Sequence, residues 1–140
     1  ARAEVPQPGG ARLDKAGAGG RSVVLVDDDP SVREFCAQAL LEAGYRVDVF
    51  GRGEEALRAL AAATADVLVV DWKMPGLDGA EVARRARALD PRLPVLMITG
   101  NRWEAAAAAD RAGIHRVLGK PFLVEELVAA VTALAGEARA

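Results

Sequence analysis

From Ser22 onward the chain alternates between two hydrophobic periods. Short aliphatic or β-branched runs at Val23–Val26, Arg46–Phe50, Val67–Val70, Val95–Ile98 and His115–Leu118 predict strands. The segments between them carry helical spacing. Val32, Phe35, Cys36, Ala39, Leu40 and Ala43 form one apolar stripe that stops at Gly44, as a helix with a glycine stop should. Glu54–Ala62, Ala80–Leu89 and the alanine-rich Glu104–Ala112 are further helix formers, and Leu123, Leu127, Val128, Val131 and Leu134 mark the stripe of a last helix.

Five strands, each followed by a helix, predict an α/β doubly wound domain: a parallel five-stranded sheet between two helical layers, a (βα)5 sandwich. The first, third and fourth runs are apolar throughout, as strands covered on both faces must be. The second, Arg46-Val-Asp-Val-Phe50, alternates polar and apolar and reads as an edge strand. In sheets of this kind function gathers at the carboxyl ends of the strands, beside the switch in strand order.

Composition narrows the chemistry. The 140 residues carry a formal net charge of −2, which offers no field for nucleic acid. A single cysteine, Cys36, excludes an internal disulfide, and a single histidine, His115, excludes zinc sites built on two or more histidines. No apolar run is long enough to span a bilayer. These features predict a cytoplasmic domain without membrane contact. Residues 1–21 differ from the rest: Arg2, Arg12, Lys15 and Arg21 against Glu4 and Asp14 give +2, leaving −4 for the remainder, and Val5 and Leu13 are the only large apolar residues. Such a stretch buries too little surface to offset its ordering entropy. The expected organisation is a disordered tail or linker over 1–21, a folded domain over 22–137 and a C-terminal remnant over 138–140.

The predicted strand ends hold Asp27-Asp28-Asp29-Pro30, Asp71, Thr99-Gly100 and Gly119-Lys120-Pro121-Phe122. Each has an ordinary reading. Asp29-Pro30 is a good helix start, Asp71 suits a turn leading into Met74-Pro75-Gly76, Thr99 suits a strand terminus, and Lys120 suits a surface. His115 falls at the opposite end and reads as structural. Four ordinary readings at four successive strand ends are together a poor coincidence. Carboxylates so clustered must raise a pKa or take up a cation. Oxygen ligands favour Mg²⁺, or Mn²⁺ in its place. With Lys120 opposite, the set suits phosphoryl transfer, where positioning and charge neutralisation carry most of the rate.

These residues resemble the receiver domain of bacterial two-component response regulators over about Val23 to Ala135. The motifs are Val26-Asp27-Asp28-Asp29, Asp71 with Met74-Pro75-Gly76-Leu77-Asp78-Gly79, Thr99, and Lys120-Pro121-Phe122. The resemblance implies a flavodoxin-like strand order 2-1-3-4-5 and a phosphoryl group accepted on Asp71 from a phosphohistidine of a sensor histidine kinase or histidine phosphotransfer protein. It implies Mg²⁺ held by the Asp28 and Asp71 carboxylates and the Lys73 backbone carbonyl, with Asp27 acting through a water. It further implies that Lys120 pairs with the phosphoryl oxygens, that Thr99 reorients toward them, and that the Lys120–Pro121 bond is cis.

One departure is the family's switch aromatic, which falls here on Val117 and puts aromatic coupling to Thr99 in doubt. Lys73 and Asn101 flank the path of water to the phosphoryl group and are candidates for tuning dephosphorylation. In the family the fourth predicted helix, fifth strand and last helix make the usual partner surface, and self-association there is one expectation. No basic recognition helix follows. The contexts considered are a stand-alone receiver, a hybrid-kinase receiver and a regulator trimmed of its effector, the Gly/Ala/Pro stretch before Ser22 leaning toward the second. Two other readings compete. A Mg²⁺-dependent phosphohydrolase with an aspartyl nucleophile would place that nucleophile in an Asp-x-Asp pattern after strand one, which Asp27-Asp28-Asp29 fits only superficially. A scaffold-type receiver that is never phosphorylated would not need Asp71, Thr99 and Lys120 together.

Overall fold

The computed structural model describes residues 10–13, 21–101 and 114–139. Its elements in chain order are β1 (Gly10–Leu13), β2 (Ser22–Val26), α1 (Pro30–Glu42), β3 (Arg46–Phe50), α2 (Gly53–Ala62), β4 (Val67–Asp71), α3 (Gly79–Leu89), β5 (Val95–Thr99), β6 (Arg116–Gly119) and α4 (Val124–Arg139). The predicted helix Glu104–Ala112, together with Trp103, lies outside the described residues.

The sheet runs β1-β3-β2-β4-β5-β6. Its last five members are parallel and stand in the expected doubly wound order. The sixth corrects two expectations. Gly10–Leu13, placed within the tail, forms β1 and pairs antiparallel with β3, Gly10 opposite Phe50 and Leu13 opposite Val47. The alternating run Arg46–Phe50 is therefore flanked on both sides. A strand at the rim leaves a row of backbone donors and acceptors open, and four residues of a weakly apolar segment suffice to close it. At the other end α4 continues to Arg139, past the boundary drawn at 137.

Alternation sorts the core into two layers. Val23 and Leu25 of β2, Val67 and Val69 of β4, and Leu96 and Ile98 of β5 pack with α1 and α4. Val24 and Val26, Leu68 and Val70, and Val95 pack with α2 and α3. Both faces being covered, the strands had to be apolar without interruption. The helical stripes hold in part. Cys36, Ala39 and Leu40, and Leu127, Val131 and Leu134, are buried, but Phe35 is 46% and Leu123 65% exposed, and Ala43 is exposed as the α1 C-cap.

The helix ends are set by local chemistry. Asp29 caps α1 by accepting from the Ser31 amide at 2.9 Å, with Pro30 opening the helix. Gly44, at φ 100°, takes the left-handed turn out of α1. Asp78 caps α3 by accepting from the Glu81 amide at 2.9 Å.

Candidate functional site

The parallel register brings the candidate residues to one edge. Val26 of β2 stands beside Val70 of β4, so Asp27 and Asp71 lie at neighbouring strand ends. They continue the side-chain rows of Val23, Leu25 and of Val67, Val69 toward α1 and α4. Thr99 stands beside Gly119, and the Lys120 amide donates to the Thr99 carbonyl at 2.7 Å, which sets Lys120 next to β5. The Lys120–Pro121 peptide bond is cis. Gly79 allows α3 to start against the end of β4. A Cβ at that position would fall 2.3 Å from the Asp71 carbonyl oxygen, and the Gly79 amide donates to the Trp72 carbonyl at 2.9 Å. Sequence reasoning had no reason to single out this glycine beyond its place in a motif; the signal was its position directly after a capping aspartate.

Asp27, Asp28 and Asp71 each offer a carboxylate oxygen, and these lie within 4.8 Å of one another. Asp27 and Asp71 are buried, whereas Asp28 is exposed. The Lys120 Nζ lies 3.1 Å from Asp71 Oδ1 and 3.9 Å from Asp27 Oδ2. Asp27 Oδ1 accepts from the Asp29 amide at 2.9 Å, but Oδ2 is buried without a hydrogen-bond partner. A buried carboxylate oxygen left so, beside two further carboxylates, fits a hard divalent cation.

The electrostatics agree. Burial pushes the Asp27 carboxyl up to about 6; the Asp29 amide opposes this, and the neighbouring Asp71 and Asp28 charges add to it. Asp71 is likewise raised by burial, against the hydrogen bond and charge of Lys120. Burial works against the charge of Lys120, yet its hydrogen bond and charge pairing with Asp71 prevail and raise it. Cys36 is buried on α1 behind these groups, and burial pushes its thiol up to about 12. A protonated thiol of this kind is no nucleophile at neutral pH.

Thr99 Oγ1 accepts from the Asn101 amide at 2.9 Å and donates to the Asn101 carbonyl at 3.2 Å. Asp71, Trp72, Lys73, Thr99, Gly100, Asn101 and Lys120 line a cleft of about 310 Å³. The exposed Lys73 and Asn101 thus stand at its walls. Val117 lies in β6 beside Met97, half-buried. His115 precedes β6 rather than opening it: its amide donates to the Val95 carbonyl at 3.0 Å and its Nδ1 accepts from the Val95 amide at 3.1 Å. It belongs to the sheet's other end. Among the described residues no helix is long and apolar enough to cross a membrane.

Residues 23–132 match the model of the response regulator receiver domain, and the chain belongs to that family. It is 42% identical over 114 residues to the response regulator MprA of Mycobacterium ulcerans, covering 80% of this chain and 49% of that protein. It is 41% identical over 110 residues to the DNA-binding transcriptional regulator NtrC of Escherichia coli K12, covering 78% of this chain and 24% of that protein. The chain thus spans about half or a quarter of these relatives. Among solved structures, the receiver domain of the sensor histidine kinase PA1611 from Pseudomonas aeruginosa, with a magnesium ion coordinated in its active site cleft, superposes with a TM-score of 0.78 at 29% identity, covering 84% of this chain and 99% of that one.

Proposed function

We propose that this receiver domain is a phospho-acceptor of a two-component phosphorelay, taking a phosphoryl group onto Asp71 from a phosphohistidine of a sensor histidine kinase or histidine phosphotransfer protein in the cytoplasm. The observation that carries the reading is the convergence of Asp27, Asp28 and Asp71, with Lys120 Nζ at 3.1 Å from Asp71 Oδ1. An Asp71 oxygen attacks phosphorus, the P–O bond forms as the P–N bond breaks, and the imidazole leaves and recovers its proton from solvent. Hydrolysis then returns Asp71 and inorganic phosphate, so the domain catalyses only its own phosphorylation and dephosphorylation.

Asp28 and Asp71, the Lys73 carbonyl, and Asp27 through a water would hold Mg²⁺ or Mn²⁺. The bound ion supplies charge neutralisation at the phosphoryl oxygens. Lys120 pairs with those oxygens and holds the Asp71 carboxylate oriented beforehand. Thr99 gives up its Asn101 partners to donate to the phosphoryl group. Because Val117 is aliphatic, the response runs through the Thr99–Asn101 segment rather than through an aromatic rotamer. Lys73 and Asn101, at the cleft walls, tune the approach of water.

Incubation with Mg²⁺ and phosphoramidate or acetyl phosphate is expected to add one phosphoryl group by intact mass, and none in Asp71→Asn. If neither small donors nor a phosphorylated histidine phosphotransfer protein load the wild type, the reading is overturned. Steady turnover of a small phosphate ester would instead favour a phosphohydrolase.

A further inference from the structure

Asp27 is committed at every polar atom but one. Its amide donates to the Phe50 carbonyl at 3.1 Å, its Oδ1 accepts from the Asp29 amide at 2.9 Å, and its carbonyl accepts from Arg33 Nη1 at 2.7 Å. Only Oδ2 is without a hydrogen bond. Three fixed atoms determine where the fourth points. Of the three partners, Arg33 alone is a side chain. It reaches back from the first turn of α1, where its own amide donates to the Asp29 carbonyl at 2.9 Å.

The opposite side of the guanidinium is also shaped. A Cβ on Gly51 would lie 3.0 Å from Arg33 Nη1 and 3.7 Å from its Cζ, with no other atom near. Glycine just after β3 thus leaves the space that the guanidinium fills. Arg33 thus lies between the β2–α1 turn, which it bonds, and the β3–α2 loop, beside which it packs, at the carboxyl edge of the sheet. Its hydrogen bond goes to the Asp27 backbone carbonyl and not to the carboxylate, so it acts on the carboxylate through placement of the backbone.

We infer that Arg33 is a positioning residue for the cation site: by holding the Asp27 carbonyl against the Gly51 loop, it fixes the Asp27 carboxylate with Oδ2 turned toward the ion. This rests on the reading that the three carboxylates bind a divalent cation. Groups that hold metal ligands from behind typically govern affinity about 10- to 100-fold.

The test uses three variants. Arg33→Met keeps the stem and removes the donor, Arg33→Lys restores one donor, and Gly51→Ala crowds Nη1 by a few tenths of an ångström without removing its charge. Mg²⁺ affinity is read from tryptophan fluorescence, thermal unfolding from circular dichroism, and amide shifts of Asp28 and Asp29 by NMR in metal-free protein. Arg33→Met is expected to weaken Mg²⁺ about tenfold, Gly51→Ala to weaken it in the same direction, and Arg33→Lys to recover part of the loss. The Asp28 and Asp29 amides should shift without metal. Wild-type Mg²⁺ affinity in folded Arg33→Met and Gly51→Ala, with unshifted amides, would overturn the inference. If the wild type itself binds no Mg²⁺, the cation reading fails instead, and the metal-free amides alone decide whether Arg33 places Asp27. Should Arg33→Met not fold, Arg33→Gln, too short to reach the Asp27 carbonyl, carries the same comparison.

Discussion

The two halves of the candidate site stand on different kinds of strand. Asp27 and Asp71 extend β2 and β4, whose apolar residues are buried on both faces of the sheet. Lys120 extends β6, the rim strand next to β5, where Arg116 is exposed and Val117 to Gly119 are only half-buried. Asp27 and Asp71 are thus anchored in the most deeply buried strands of the sheet and carry the electrostatic cost of burial. The cation that answers them sits on the less buried rim. Such a division would suit the proposed phospho-acceptor role, the anionic pocket standing ready before a phosphoryl group and the rim responding to it.

The largest expected effect tests the mechanical side of this contrast. Leu68→Ala in β4 removes a fully buried side chain and is expected to cost about 2–5 kcal/mol in urea unfolding. Leu118→Ala in β6, half-buried against the core, should cost about 1–2 kcal/mol. Equal costs would erase the distinction.

The next tests the electrostatic side. Asp27 ionises at about 6 in the folded state against 3.8 ordinarily. Between those values the unfolded chain has lost the proton that the folded chain keeps, so stability falls as pH rises from about 4 to 6 and then levels. The shift corresponds to about 3 kcal/mol in metal-free protein. Asp27→Asn should flatten much of that fall and leave the protein more stable at pH 7. A profile that rises through this range would contradict the burial argument. Mg²⁺ should recover stability in the wild type, more at pH 7.5 than at pH 5, because protons compete for the same oxygens.

The smallest effect belongs to the exposed wall of the cleft. Lys73→Ala should change the half-life of the phosphorylated domain by about two- to fourfold, the scale of one solvated charge contact. An unchanged half-life would remove Lys73 from the account.

The central strands and their terminal aspartates were legible in the sequence because burial on both faces forces unbroken apolar runs. A charged residue directly after such a run must lie at the sheet's edge. β1 was not legible. Gly10–Leu13 has one large apolar residue, and its pairing depends on the open rim of β3, a partner 34 to 40 residues away in register. Phe35 and Leu123 carried helical spacing that predicted burial, yet periodicity marks a face without saying how far the neighbouring layer extends. Arg33 and Gly51 escaped for another reason. Their meaning lies in a backbone carbonyl and an empty Cβ position, and neither leaves a trace in residue type.

The proposed chemistry requires that Asp27, Asp28 and Asp71, the first with a buried oxygen lacking a hydrogen bond, form a cation site. Trp72 follows Asp71 directly and lines the same cleft, so its fluorescence reports that site once Trp103 is replaced by phenylalanine. A saturable change at millimolar Mg²⁺, abolished in Asp71→Asn, is the result predicted. Fluorescence indifferent to Mg²⁺ and Mn²⁺ in the folded protein would contradict it.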